Sequence, residues 1–378
     1  MPVDIKKIPL PCYVLEEDLL RKNLTLIKHV SETAGVEIIL AFKGFAMWGA
    51  FPIVREYING ATASSLNEAR LCFEEMKTKS HTYCVAISDS EIDELLKYSS
   101  HITFNSLNQF NKYKEKAKAA GVSCGIRVNP QYSEVTTELY NPCSPHSRLG
   151  MCIEHFKETL PEALEGLHFH ALCENDSYTL EKTLQAFEKN FAHLIKQAKW
   201  INMGGGHLMT KQGYDTNHLI QVLKAFQQRY PKIHVILEPG SAFAWQTGSL
   251  YSTVLDVVEN NGVKTAIVDV SFTAHMPDCL EMPYRPKITG ATDPIKGKPT
   301  YRIGGTSCLS GDFMFEYSFE YELKEGDTLV FEDMIHYTMV KTSTFNGVKH
   351  PSIGIWTKEN TFKWLKKFGY IDYKNRLS

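Results

Sequence analysis

The stretch Ile38-Ile-Leu-Ala-Phe-Lys43-Gly44 is a short apolar run that ends on a lysine and then a glycine. An unbroken apolar run of this length suits a strand buried on both faces, and the glycine punctuates its end. Working outward, similar runs fall at Gly60–Ser65, His81–Ala86, Ile102–Ser106, Cys124–Asn129, Gly166–Leu172, Trp200–Gly206 and Val235–Gly240. Helix-like stretches lie between them, among them Asn67–Lys77, Asp89–Tyr98, Leu107–Ala119, Leu180–Gln197 and Thr216–Gln228. Strands alternating with helices predict parallel βα units. Eight such strands predict a closed (β/α)8 barrel of the TIM type, with an open doubly wound sheet as the alternative.

The pattern changes after Gly240. Ser249–Val258, Thr265–Val270, Phe315–Leu323 and Thr328–Phe331 are rich in β-branched and aromatic residues, and turn signals such as Glu259-Asn-Asn-Gly262 separate them. This predicts a mostly β domain of sandwich or barrel type, to which Pro11–Leu15 adds a strand. The expected division is therefore a barrel over 25–245 and a β domain over 246–378 completed by 1–24. At 378 residues the chain is long enough for both.

A formal charge of −2 provides no general attraction to nucleic acid or anionic membrane. No apolar run is long enough to span a bilayer, and Met1–Leu10 carries charges where a secretory signal needs an apolar core, so a cytoplasmic protein is expected. The nine cysteines are odd in number, scattered and without a C-x-x-C pair, which argues against a disulfide framework and a thiolate zinc site.

Chemistry in such a barrel collects at the C-terminal ends of the strands. Lys43 ends the first strand behind apolar residues, where burial lowers the pKa of an amine and favours its attack on an aldehyde. Alone, a lysine there equally well snorkels to solvent. Gly204-Gly-Gly206 follows the seventh strand, where backbone N–H groups can approach a phosphate closely, although a glycine run is also an ordinary turn. Glu238-Pro-Gly240 closes the eighth strand; its carboxylate either pairs at the barrel rim or faces a pyridine nitrogen. His168 and His170 share one face of the sixth strand. With no well-placed third ligand they predict no metal site, and a flat imidazole stacked on a cofactor ring suits His170, the nearer to the strand end.

Read in chain order, Ala41-Phe-Lys43, His168-Phe-His170, Gly204-Gly-Gly206 and Glu238-Pro-Gly240 resemble the alanine-racemase-like (group IV, fold type III) decarboxylases that use pyridoxal 5′-phosphate, which include ornithine and diaminopimelate decarboxylases. The resemblance spans nearly the whole chain. Gly305-Thr-Ser-Cys308-Leu-Ser-Gly-Asp312 is similar to the family's catalytic-cysteine loop, and His336-Tyr337 to a tyrosine that reaches the cofactor phosphate. Leu167–Glu174, Thr273–Asp278, Met282-Pro-Tyr-Arg285 and Cys308–Asp312 are similar to the branch that decarboxylates carboxynorspermidine and carboxyspermidine. Three positions depart from other members: Ser241 stands where arginine is usual, Leu309 where diaminopimelate decarboxylases carry an acid, and Thr62 roughly where the ornithine enzymes carry aspartate.

The resemblance implies that Lys43 holds the cofactor covalently, His170 stacks on its ring, and Glu238 keeps its pyridine nitrogen protonated. It further implies that Gly205, Gly206, Gly240 and Tyr337 hold the phosphate. Cys308 returns a proton to the α-carbon, and Asp278, Asp312 and Glu174 are candidates for binding substrate amines. The implied reaction is decarboxylation of carboxynorspermidine or carboxyspermidine to norspermidine or spermidine in polyamine biosynthesis, by a homodimer with shared active sites. A simpler basic amino acid (diaminopimelate, ornithine or lysine) is the alternative substrate. A catalytically inactive regulatory homologue is the alternative of another class, and the presence of Lys43, His170, Glu238, Cys308 and Tyr337 counts against it.

Overall fold

The protein is described by a computed structural model covering residues 3–135, 140–281 and 283–378. Met282, within one of the segments quoted above, lies outside the described residues. The chain divides into two compact units, Asn23–Phe243 and Ala244–Ser378, the latter joined by the chain before Asn23.

Strands are numbered in chain order from β1 (Cys12–Glu16), which belongs to the second unit. The first unit holds β2 (Glu37–Ile38), β3 (Leu40–Ala41), β4 (Ala61–Ala63), β5 (Ser80–Tyr83), β6 (Ser99–Phe104), β7 (Ser123–Arg127), β8 (Leu164–His168), β9 (Trp200–Asn202) and β10 (His234–Leu237). All pair in parallel, in the order β2-β10-β9-β8-β7-β6-β5-β4-β3. The first stave is one strand broken at Ile39: β2 pairs with β10, β3 pairs with β4, and the sheet closes on itself. The bridging amides bear this out, since Ile39 N–H donates to Leu237 O at 2.9 Å and Leu40 N–H to Gly60 O at 3.1 Å. The alternating pattern is thus a closed barrel and not an open sheet.

The strands are shorter than the apolar runs predict. At the first stave the backbone turns at once, with Gly44 and Phe45 N–H both donating to Ala41 O, so Phe42 and Lys43 belong to the mouth of the barrel. After β4, Ser65 caps the helix Leu66–Leu71 by accepting from Glu68 N–H, while the Glu68 side chain accepts from Ser64 N–H at 2.6 Å. These two bonds, the cap worth about 1 kcal/mol, fix the turn after β4 that carries Ser64.

Inside the barrel, Ile39, Trp200 and Ile236 form a buried cluster. Gly125 on β7 and Gly166 on β8 make room for the indole: a Cβ on either would lie 2.2 or 2.0 Å from the Trp200 ring. The second unit is a mixed sheet ordered β14-β13-β12-β11-β1-β16-β17, with β15 (Thr328–Glu332) also on β11. Its members are β11 (Gly248–Asn260), β12 (Val263–Val268), β13 (Thr300–Gly304), β14 (Phe313–Ser318), β16 (Ser352–Trp356) and β17 (Phe362–Lys366). Asn261 and Gly262, both at positive φ (51° and 79°), make the two-residue turn between β11 and β12, as the Asn-Gly pair predicts.

Candidate active site

A pocket of about 310 Å³ opens at the C-terminal ends of the barrel strands. Ala41, Phe42, Lys43, Thr62, Ser64, Tyr83, Arg127, His168, His170 and Glu238 line it. Parallel strands end together at one mouth, so residues distant in sequence converge there.

The hydrogen bonds around Lys43 determine where the protons sit. Gly205 N–H donates to His170 Nδ1 at 2.9 Å, so Nδ1 is an acceptor. Burial, then the charges of Lys43 and Arg127, hold the His170 pKa well below the ordinary histidine range. A neutral ring with an accepting Nδ1 carries its proton on Nε2. That N–H faces Lys43 Nζ at 3.4 Å, a long contact that is favourable only if the amine is neutral and accepts. The Lys43 pKa is itself lowered, first by desolvation and then by the Arg127 charge, against the opposing pull of Glu238. The side chain is nevertheless accessible to water, so the crowding acts on an amine in an open pocket and not on a sealed one. The lowered pKa makes the amine easier to deprotonate than an ordinary lysine, and the deprotonated form is the nucleophile that attacks a carbonyl.

Glu238 is buried and pinned. Asn202 Nδ2 donates to its Oε1 at 2.6 Å, and Asn202 Oδ1 in turn accepts from Gly204 N–H at 2.8 Å. Burial raises the Glu238 pKa; the Asn202 bond, the Lys43 charge and a bond from Thr62 oppose that rise. Burial thus disfavours the carboxylate unless a facing positive charge or N–H donor stabilises it. Arg127 donates to His170 O at 3.1 Å and lies over the Tyr83 ring, 4.8 Å from its centroid.

The glycines are required by space. A Cβ on Gly204, Gly205 or Gly206 would lie 2.4, 2.5 or 2.2 Å from the carbonyl oxygens of Phe169, Glu238 or Leu172, and Gly204 and Gly206 also sit at φ 68° and 86°. Gly240 and Gly44 meet back to back, a Cβ on Gly44 falling 2.7 Å from Gly240 Cα. The run is therefore a tightly fitted backbone crossing between strand ends.

Lys43, His170 and Glu238 thus gather at one mouth, with Gly205, Gly206 and Gly240 beside them. Glu174 is exposed on the loop after β8, at φ 52°. Cys308, Asp312, Asp278 and Tyr337 belong to the second unit. Cys308 is exposed, and its N–H donates to Asn346 Oδ1 at 2.8 Å. Both Asp312 oxygens are engaged: Oδ1 accepts from the Thr273 amide and hydroxyl at 3.1 and 3.2 Å, and Oδ2 from Ser307 N–H, on the Cys308 loop, at 3.0 Å. Asp278 is buried, with Oδ2 accepting from Tyr284 and Thr338 hydroxyls at 2.8 and 2.7 Å. Among the described residues its Oδ1 has no hydrogen-bond partner. Tyr337 adopts φ 44°, a conformation rare for a bulky residue.

Sequence reasoning passed over Arg127, Tyr83, Ser64 and Asn202. Arg127 carried the same signal as Lys43, a charge ending an apolar strand. Asn202 carried none, because its role depends on a partner 36 residues away.

Residues 12–335 match the family described as pyridoxal-dependent decarboxylase, C-terminal sheet domain. The chain belongs to that family. It is 50% identical over 373 residues to the carboxyaminopropylagmatine decarboxylase of Synechocystis sp., covering 99% of this chain and 96% of the relative. It is 44% identical over 382 residues to the carboxynorspermidine/carboxyspermidine decarboxylase of Campylobacter jejuni, covering 98% and 99%. The crystal structure of carboxynorspermidine decarboxylase from Campylobacter jejuni, complexed with norspermidine, superposes with a TM-score of 0.91 at 43% identity, covering 98% of this chain and all of that one. This chain is accordingly a decarboxylase on the fold of its family, a barrel joined to a second β unit. The donor set fits pyridoxal phosphate: an amine of lowered pKa for its aldehyde, a flat imidazole beside that amine, and a buried carboxyl for its ring nitrogen.

Proposed function

We propose that this decarboxylase acts on a carboxylated aminopropyl polyamine, of the carboxynorspermidine, carboxyspermidine or carboxyaminopropylagmatine type, with pyridoxal phosphate held by Lys43. These compounds share one carboxylated aminopropyl arm and differ in the cationic tail. The observation that carries the reading is the convergence, in one pocket, of the Lys43 amine, the His170 imidazole at 3.4 Å and the Asn202-pinned Glu238. Similarity of 44–50% along nearly the full length of two decarboxylases named for such substrates supports the substrate class.

When bound, pyridoxal phosphate supplies an electron sink for the charge left on the α-carbon as carbon dioxide departs. Lys43 Nζ would hold the cofactor through its aldehyde. Glu238, oriented by Asn202, would face the pyridine nitrogen and keep it protonated. His170 would pack on its ring, and the backbone at Gly205, Gly206 and Gly240, with Tyr337, would hold its phosphate. Cys308 Sγ returns the proton to the α-carbon. Asp278, with one oxygen unengaged, is the foremost carboxylate for a substrate amine; Glu174 is a second. Asp312, whose oxygens are taken, serves amine recognition mainly by fixing the loop that presents Cys308.

The same reading includes a cytoplasmic homodimer with shared active sites, supported by the exposure of Cys308 on its loop. No helix among the described residues is long and apolar enough to cross a membrane. Carbon dioxide release from the holoenzyme, compared as kcat/KM, tests the assignment. The panel is the three carboxylated polyamines, meso-diaminopimelate, ornithine and lysine. Preference for a carboxylated polyamine is expected, and preference for a simple amino acid refutes the substrate class. One methylene separates carboxynorspermidine from carboxyspermidine and discriminates by only about 1–3 kcal/mol. The guanidine tail of the agmatine compound asks for a planar, bidentate partner and separates more sharply.

A further inference from the structure

His168 is a buried titratable side chain to which the mechanism above gives no task. It ends β8, lines the pocket and is 2% exposed. Among the described residues neither of its ring nitrogens has a hydrogen-bond partner. A buried donor without a partner is costly, and a phenylalanine would fill the space without that cost. What the imidazole has instead is a near neighbour. Its Nε2 lies 3.7 Å from Glu238 Oε2, a few tenths of an ångström beyond hydrogen-bond range. Asn202 already occupies the other oxygen, Oε1. On its other side the imidazole meets Tyr83 nearly edge-on, with ring centroids 5.5 Å apart and planes at 79°. Arg127 covers that tyrosine. Burial, then the charges of Arg127 and Lys43, holds the His168 pKa well below the ordinary histidine range, so the ring is a neutral donor.

We propose that His168 is a positioning residue for Glu238, its Nε2–H closing onto Oε2 when a pyridine nitrogen faces the carboxylate. This rests on the proposed reading of Glu238. The protons balance. A proton on Glu238 would pass to the pyridine nitrogen, and the carboxylate facing that nitrogen is the better acceptor. His168 keeps its own proton throughout and contributes only a hydrogen bond. Asn202 on one oxygen and His168 on the other then fix both the orientation and the charge of the carboxylate. The two histidines of the His168-Phe-His170 pair divide the work: His170 serves the amine, and His168 serves the acid.

The test compares wild type, His168→Phe and His168→Gln by pyridoxal phosphate titration, by absorption of the bound cofactor against pH, and by thermal melting of the cofactor-free protein. His168→Phe is expected to melt no lower than wild type, to bind the cofactor about tenfold more weakly, and to lower by about one unit the pH at which its absorption changes. His168→Gln, which retains a donor, is expected to recover most of both. Unchanged affinity and an unchanged absorption profile in His168→Phe overturn the proposal. So does a lowered melting temperature with normal cofactor spectra, the signature of a core residue alone. If His168→Phe does not fold, His168→Leu takes its place beside His168→Gln, and the same results support or overturn the proposal. Lys43→Ala separates the two readings. Loss of attachment there, with His168→Phe behaving as wild type, rejects the role of His168 and leaves the proposed function standing, whereas wild type that takes up no pyridoxal phosphate rejects both.

Discussion

At Lys43 one physical cause does two things: desolvation disfavours the ammonium, and the deprotonated amine it favours is the acceptor that His170 Nε2–H needs. Gly205 completes this logic, since its amide can only donate and so directs the His170 proton toward Lys43. The chemistry at the other end of the reaction belongs to Cys308, whose main chain is held by Asn346 and whose loop is tied by Asp312. Replacing Cys308 with alanine removes the proposed proton donor and leaves these ties intact. The expected result is a fall in kcat of about 10²–10⁴-fold with cofactor affinity unchanged, read from carbon dioxide release and absorption titration. A fall in affinity of the same size would place Cys308 in cofactor binding instead. Lys43, His170 and Glu238 stood out in the sequence because each is a polar residue ending or closely following an apolar run. Asn202 did not, because it matters only through Glu238, on another strand.

Among the elements, the barrel staves were legible as apolar runs, while their ends were not. The runs continue into the mouth, where the backbone has already left the ladder to turn, as at Ala41–Phe45. Nor did the runs reveal that the first stave breaks at Ile39 to pair on both sides. The glycines of β7 and β8 read as weak strand residues, yet they are the space into which Trp200 fits. A methyl group at Gly166 therefore meets the indole. Gly166→Ala is expected to destabilise the barrel by about 1–3 kcal/mol in denaturant unfolding. Combined with Trp200→Leu, the loss is expected to be smaller than the sum of the two single changes. Strict additivity would show that the glycine and the indole do not share that space.

For the whole molecule, pH dependence follows from histidines held neutral by burial. His81 is pushed down to about 3 and His207 to about 4, both chiefly by desolvation, against an ordinary 6.5. Between those values and 6.5 the unfolded chain binds more protons than the folded one, so stability falls as pH drops from 6.5 toward 4. Each group contributes at most about 1.4 kcal/mol per pH unit in that window. Buried carboxyls with raised pKa, Glu238 and Glu68 among them, act in the opposite sense, so the histidine part is best isolated by substitution. His81→Gln is expected to lose less stability than wild type between pH 7 and pH 5, measured by urea midpoint. Equal losses would mean that His81 takes up a proton in the folded state as easily as in the unfolded one.

Every role proposed at the barrel mouth depends on Lys43 carrying the cofactor. Borohydride reduction of the pyridoxal-phosphate-loaded protein, followed by peptide mass spectrometry, reads this directly. The predicted result is a single phosphopyridoxyl adduct on the peptide containing Lys43, absent from Lys43→Ala. A stoichiometric adduct on any other lysine, or none in the wild type, would contradict the barrel mouth as the catalytic site.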